Sequence, residues 1–154
     1  MKKIFKTVTM IALLAQALIL CTYAQKAAGI NDVTGTWAGV DKGKSFTIVL
    51  NEDKSVDGTF YKNFTDNGIT LRWSLSEEKL DKKYAAATGL SSAAIVTIKI
   101  IDQRIAGGEG LLMYVVTPEN GKYVMLPYGA KINNESVIGE NAKDIYAAKM
   151  TKKK

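Results

Sequence analysis

Histidine is absent from the 154 residues of this chain, and its one cysteine is Cys21. Histidine carries most side-chain proton transfer near neutral pH, so its absence removes the Ser/His and Cys/His nucleophile pairs and every His-ligated metal site. Carboxylates, hydroxyls and lysines remain. The densest acidic group is Glu77, Glu78 and Asp81. It holds the residue types of a two-carboxylate glycosidase, yet acids in the first turn of a helix are explained more simply by the helix dipole. Ser91-Ser92, with lysines elsewhere, leaves a Ser/Lys nucleophile formally open but without a motif behind it. Asp53 to Gly58 has the opening of a calcium loop, but its twelfth position is Phe64 rather than a bidentate acid, and the same residues suit a hairpin turn. Gly107-Gly108-Glu109-Gly110 lacks the Lys-Ser/Thr ending of a phosphate cradle and reads as a hairpin tip. The expectation is therefore a protein with no catalytic residues, no metal and no cofactor.

The chain opens with Lys2, Lys3 and Lys6, an apolar run from Val8 to Leu20, and then Thr22-Tyr23-Ala24. This is the anatomy of a secretory signal at 1–24, cleaved after Ala24. At about 1.5 Å per residue the apolar run makes a helix of roughly 20 Å, against about 30 Å of bilayer hydrocarbon. Leu18-Ile19-Leu20-Cys21 offers a second reading as a lipoprotein signal in which Cys21 is lipidated, although Leu20 is not the small residue that signal class requires; an uncleaved anchor is a third. The expected location is periplasmic or extracellular, or the outer membrane if Cys21 carries lipid, which is the only membrane contact expected.

Three basic residues leave with the leader, so the chain from Gln25 onward carries 18 basic and 15 acidic residues, a net charge of +3. Three of those bases are the terminal Lys152, Lys153 and Lys154, read as a basic tail at 152–154. The body is then close to neutral and lacks the basic face that phosphate backbones need, which excludes nucleic acid. It also has no cysteine and must hold itself together by packing alone, which about 120 ordered residues can do.

Residues 25–32 have no periodicity and read as a flexible arm before a barrel domain at 33–151. Thr34 to Val40 and Ser45 to Leu50 read as strands, the second with Phe46, Ile48 and Leu50 on alternate positions. Val56, Phe60 and Phe64 alternate with polar residues and predict a third strand. Asp66-Asn67-Gly68 then predicts a hairpin into Ile69, Leu71, Trp73 and Leu75. Ser74 with Glu77 resembles a capping box for one short helix, with Leu80, Tyr84 and Ala87 at helical spacing and Gly89 just past its end. Ala93 to Ile101, Leu111 to Thr117 and Lys122 to Tyr128 predict three more strands. Pro127 is expected near a strand end or on an edge. A last segment, Asp144 to Met150, reads as a closing strand, although its alanines also suit a helix. The sum is an all-β fold: a single antiparallel barrel of eight strands with at most one short helix.

Gly35-Thr36-Trp37 lies on the first predicted strand, and this Gly-x-Trp at the start of an up-and-down barrel resembles the lipocalin (calycin) family. The resemblance implies that the indole plugs the closed end while the glycine admits a close neighbour. The family's arginine on the last strand has no match here; Lys149 or Lys152 stands in its place. Short strands and bulky interior candidates (Phe46, Phe60, Phe64, Trp73 and Leu75) predict a barrel filled by its own side chains. That similarity in size, export and architecture extends to the small secreted bacterial barrels that inhibit proteinases, of the alkaline-proteinase-inhibitor and potempin types. It implies a non-enzymatic binder of a secreted proteinase or another protein. The expected contacts are the arm (Gln25, Lys26, Ala27, Ala28) and the uncharged loop Thr88, Gly89, Leu90, Ser91 and Ser92, in which Leu90 looks exposed. The alternative is a lipocalin-like carrier of an apolar small molecule, which requires an interior void of at least about 300 Å³.

Overall fold

The computed structural model describes residues 27–102, 109–132, 135–138 and 149–154. These form an all-β protein whose antiparallel strands make a nearly closed barrel. In chain order the strands are β1 (Gly35–Asp41), β2 (Lys44–Leu50), β3 (Val56–Asp57), β4 (Thr70–Lys79), β5 (Ser92–Ile101), β6 (Glu109–Glu119), β7 (Lys122–Ile132), β8 (Glu135–Ile138) and β9 (Met150–Lys152). Around the barrel, eight of them follow the order β3-β2-β1-β9-β7-β6-β5-β4, while β8 pairs with β7 off this path. The strand β9 joins the two halves by pairing with β1 and β7. The predicted closing segment Asp144–Met150 falls mostly outside the described residues; β9 begins at its last residue and takes in Lys152, which was read as tail.

Alternation builds the interior. Phe46, Ile48 and Leu50 of β2, Leu71 and Trp73 of β4, and Ala94, Val96 and Ile98 of β5 point inward and are buried. The other face of β5 is buried at Ala93 and Ile95 as well, because Tyr84 of the helix Lys82–Thr88 packs over them together with Leu80 just before that helix. That outer layer explains why β5 opens with the continuous apolar run Ala93-Ala94-Ile95-Val96 before Thr97 and Lys99 restore the alternation.

Three short helices occur among the described residues, where one was expected: α1 (Ile30–Val33), α2 (Lys62–Asp66) and α3 (Lys82–Thr88). The expected capping box at Ser74 and Glu77 is corrected. Those residues continue β4, and α3 starts eight residues after Ser74 with Asp81 as its cap, the carboxylate accepting from the Lys83 amide at 2.9 Å. A ladder to β5 running the whole length of β4 holds the segment extended and overrides the local helix signal. Gly89 ends α3 in the left-handed conformation, as its spacing predicted.

The predicted third strand is also corrected. It stops after Asp57, because Gly58 adopts φ +112° and a Cβ there would stand 2.3 Å from the Thr47 carbonyl oxygen. The chain then turns into the barrel. Tyr61, which a strand alternating with Phe60 would turn to the polar side, is fully buried, with its hydroxyl 3.1 Å from that of Tyr114, while Phe64 is 37% exposed. Phe60 packs between Phe46 and Tyr61, its ring centre 5.0 and 4.9 Å from theirs. The Asp66-Asn67-Gly68 turn therefore joins α2 to β4 instead of making a hairpin. The barrel closes between β3 and β4 through a single bridge, Ser55 to Arg72, helped by the Trp73 amide donating to the Lys54 carbonyl at 2.9 Å.

Pro127 lies within β7 rather than at its end. Tyr114 faces Pro127 and Met113 faces Gly129, so Tyr128 is the extra residue of a bulge. On its other side β7 meets β9 at Val124 and Met125 and β8 from Gly129 onward, so the missing N–H of Pro127 falls in the gap between the two partners. The bulge turns Tyr128 outward, where its hydroxyl accepts from the Asp81 amide at 3.0 Å and its ring meets Tyr84 edge-on.

Gly58→Ala should cost about 2 kcal/mol or more of unfolding free energy, because the new methyl group meets backbone that cannot move aside. Chemical denaturation of the variant against the parent measures it; an unchanged midpoint would show that the turn does not depend on glycine.

Candidate functional site

The two ends of the described chain meet at one end of the barrel, here called the base. Gly35 and Trp37 open β1 there, and β9 returns antiparallel so that Lys152 lies directly opposite Trp37. The indole is fully buried and donates to the Val33 carbonyl at 2.7 Å, tying α1 across the barrel end. Lys152 donates from Nζ to the carbonyls of Asn31 (3.0 Å) and Asp32 (2.9 Å), two groups at the end of α1 that face no further helical turn. Gly35 serves this arrangement twice: it adopts φ +120°, and a Cβ there would lie 3.3 Å from Lys152 Cε. The glycine thus makes room for a side chain from the last strand.

The segment expected to be a free arm is docked over the part that the structure describes. Ala28 is buried in the interior cluster, and α1 packs Val33 into the same cluster. Asp32 reaches back to accept from the Gly29 amide at 2.8 Å. The physical reason is that the base would otherwise leave Ala94 and Val116 open to water. Gln25 and Lys26 lie outside the described residues, and Ala27 is half-buried.

In the loop, Thr88 is the last residue of α3, Gly89 is exposed, and Ser91 and Ser92 are exposed. Leu90, expected to be exposed, is half-buried against the outer cluster under α3. The Ser91 carbonyl accepts from the Leu80 amide at 3.0 Å, which fixes the loop to the end of β4. The two expected segments, some sixty residues apart in sequence, converge: Ala27, Ala28, Leu90 and Ser92 line one depression of ≈ 50 Å³ with Glu77, Val116 and Pro118. On the outward side of the loop's support, burial, and after it the neighbouring Tyr128, pushes the Tyr84 phenol up to about 12.

Beside this depression, across the β6–β7 turn, lies a groove of ≈ 360 Å³ lined by Asn31, Asp32, Lys122, Tyr123, Lys152, Lys153 and Lys154. Partial burial, and then the Asp32 charge, holds the Tyr123 phenol above its usual value. This cluster is not visible in the sequence, because Lys122 stands about thirty residues from the terminal lysines and only the β7–β9 pairing joins them. The acidic trio does not assemble: Glu77 and Glu78 are adjacent on a strand and point to opposite faces, and Asp81 is spent on its cap. No three His, Cys, Asp or Glu side chains gather as metal ligands among the described residues.

The residues and geometry define a nearly closed antiparallel barrel with a plugged base. Among known proteins, no family model, no curated protein and no solved structure matches the chain.

Two outcomes are expected. Trp37→Ala should cost about 3–5 kcal/mol, since it empties the base and leaves the Val33 carbonyl without its donor; calorimetry or urea unfolding reads the loss. Tyr84 is neutral below its unfolded pKa near 10, and folding raises that value, so its contribution to stability is complete below pH 10 and is lost as pH rises towards 12. Unfolding midpoints at pH 9 and 11.5 should therefore fall further for the parent than for Tyr84→Phe; equal falls would remove Tyr84 as a cause.

Proposed function

We propose that this is an exported, non-enzymatic lipocalin-like barrel that binds another protein, a secreted proteinase that it inhibits. The observation that carries this reading is the convergence of Ala27 and Ala28 with Leu90 and Ser92 at the base of the barrel. A rigid scaffold presenting short segments at one end loses little order on binding, which is how loop-based inhibitors gain affinity. Export is supported by the basic, apolar and small-residue sequence of 1–24.

The occupied interior favours this over carriage of an apolar small molecule. Trp37, Tyr61, Tyr114, Met125 and Met150 are fully buried in one cluster, and the hydroxyls of Tyr61 and Tyr114 meet inside it. Kinship with the lipocalin and proteinase-inhibitor barrels is supported by Gly35 and Trp37 at the plugged end, with Lys152 in the place of that family's arginine.

The test begins with capture of partners from the secretions of the producing cell, followed by inhibition assays on any proteinase recovered. Removing the chain through Ala27, or replacing Leu90→Ser, should each weaken inhibition about tenfold, equivalent to about 1.4 kcal/mol of lost contact. Inhibition that survives both changes in folded protein would reject these segments, and recovery of a lipid in place of a protein would reject the reading.

A further inference from the structure

The side chains from Gln25 onward sum to a charge of +3, and the groove beside the base concentrates cationic side chains, Lys122, Lys152, Lys153 and Lys154 against the one acidic side chain of Asp32. Lys152 is committed to the Asn31 and Asp32 carbonyls, which fixes its charge in the groove wall. Lys122, Lys153 and Lys154 are exposed and form no ion pair among the described residues. Elsewhere on the surface two lysines are neutralised: Lys99 by Glu109 at 2.7 Å and Lys149 by Glu119.

We infer that this groove receives an acidic segment of the protein partner, a protruding aspartate- or glutamate-bearing stretch of chain. The inference rests on the protein-binding reading above and extends it to the partner's chemistry. Three features select a polypeptide over other anions. The groove is concave, so a planar bilayer would meet its rim and not its floor. It holds one acidic side chain, Asp32, and the half-buried Tyr123, both of which suit the mixed amide and carboxylate surface of a peptide better than a run of phosphates. It also adjoins the Ala27 and Leu90 depression, since Pro118, at that depression, pairs with Tyr123 of the groove. A partner seated on the first would face the second.

The probe is a hexaglutamate peptide, titrated into the full chain by calorimetry at low salt, with inorganic phosphate and phosphatidylglycerol vesicles as parallel arms. The peptide should bind, and Lys122→Gln with Lys153→Gln should weaken it about tenfold. The control pair Lys82→Gln with Lys83→Gln on α3 should leave it unchanged, and 0.3 M salt should abolish it. The inference is overturned if the peptide fails to bind, if both lysine pairs matter equally, or if phosphate or vesicles bind through Lys122 and Lys153 while the peptide does not. Leu90→Ser should leave peptide binding intact, so the failure of the inhibitor reading and the failure of the groove are separately visible.

Discussion

The hydrogen bonds at the plugged end are what the remaining architecture depends on. A barrel made from one sheet needs its first and last strands to meet, and here the last strand has only three residues, Met150–Lys152. So short a strand brings few ladder bonds. The deficit is made up by side chains, Trp37 donating to the Val33 carbonyl and Lys152 to those of Asn31 and Asp32, and by one further backbone bond from the Lys153 amide to the Thr36 carbonyl at 2.8 Å. The side-chain donors satisfy the Asn31, Asp32 and Val33 carbonyls that α1 leaves without helical partners, so the helix and the last strand complete each other. The sequence has no cysteine after Cys21, and these contacts between the two ends of the described chain take the role that a disulfide staple has in many small domains.

The opposite weakness lies between β3 and β4, where one bridge replaces a ladder. Packing compensates. Arg72 donates to the Asp53 carbonyl at 3.1 Å, the Trp73 indole donates to the Asn51 carbonyl at 2.8 Å, and Lys54 covers the Trp73 ring at 3.8 Å. The turn that supplies these carbonyls is held by Asp53, whose carboxylate accepts from both the amide and the hydroxyl of Ser55 and is thereby kept below the usual carboxylate range. The residues that abandon the strand after Gly58 fill the barrel in exchange. Phe60 and Tyr61 occupy volume that a continued β3 would have left to its neighbours.

Much of the barrel was legible in the sequence because period-2 burial is a local signal. Phe46, Ile48 and Leu50, or Leu71 and Trp73, announce their faces without knowledge of their partners. Three features were not legible, each for a stated reason. Val56, Phe60 and Phe64 keep strand periodicity across a glycine whose conformation depends on the Thr47 carbonyl of another strand. Glu77 and Glu78 have good helical propensity but belong to a ladder with Ala94 and Ala93. Lys152 looks like solvated tail because three consecutive lysines end the chain, and only pairing with Trp37 distinguishes the first from the other two. At the candidate site the two segments carry no signal of each other in the sequence; their meeting is a property of the base alone.

That meeting constrains how any partner can be engaged. Ala28 and Val33 are part of the core, so the chain that enters at Ala27 cannot swing away without opening the interior to water. Leu90 is similarly held by the outer cluster, and its loop is fixed at both sides by α3 and β5. The base therefore presents a preformed surface rather than a mobile hook, with small and hydroxyl side chains at the depression and cations at the adjoining groove. A preformed surface would discriminate by shape and charge at little cost in ordering, and its two halves adjoin where Pro118 of β6 pairs with Tyr123 of β7. On the proposed reading, a partner fitted to one half would meet the other at a fixed offset, so selectivity would come from the spacing between an apolar contact and an acidic one.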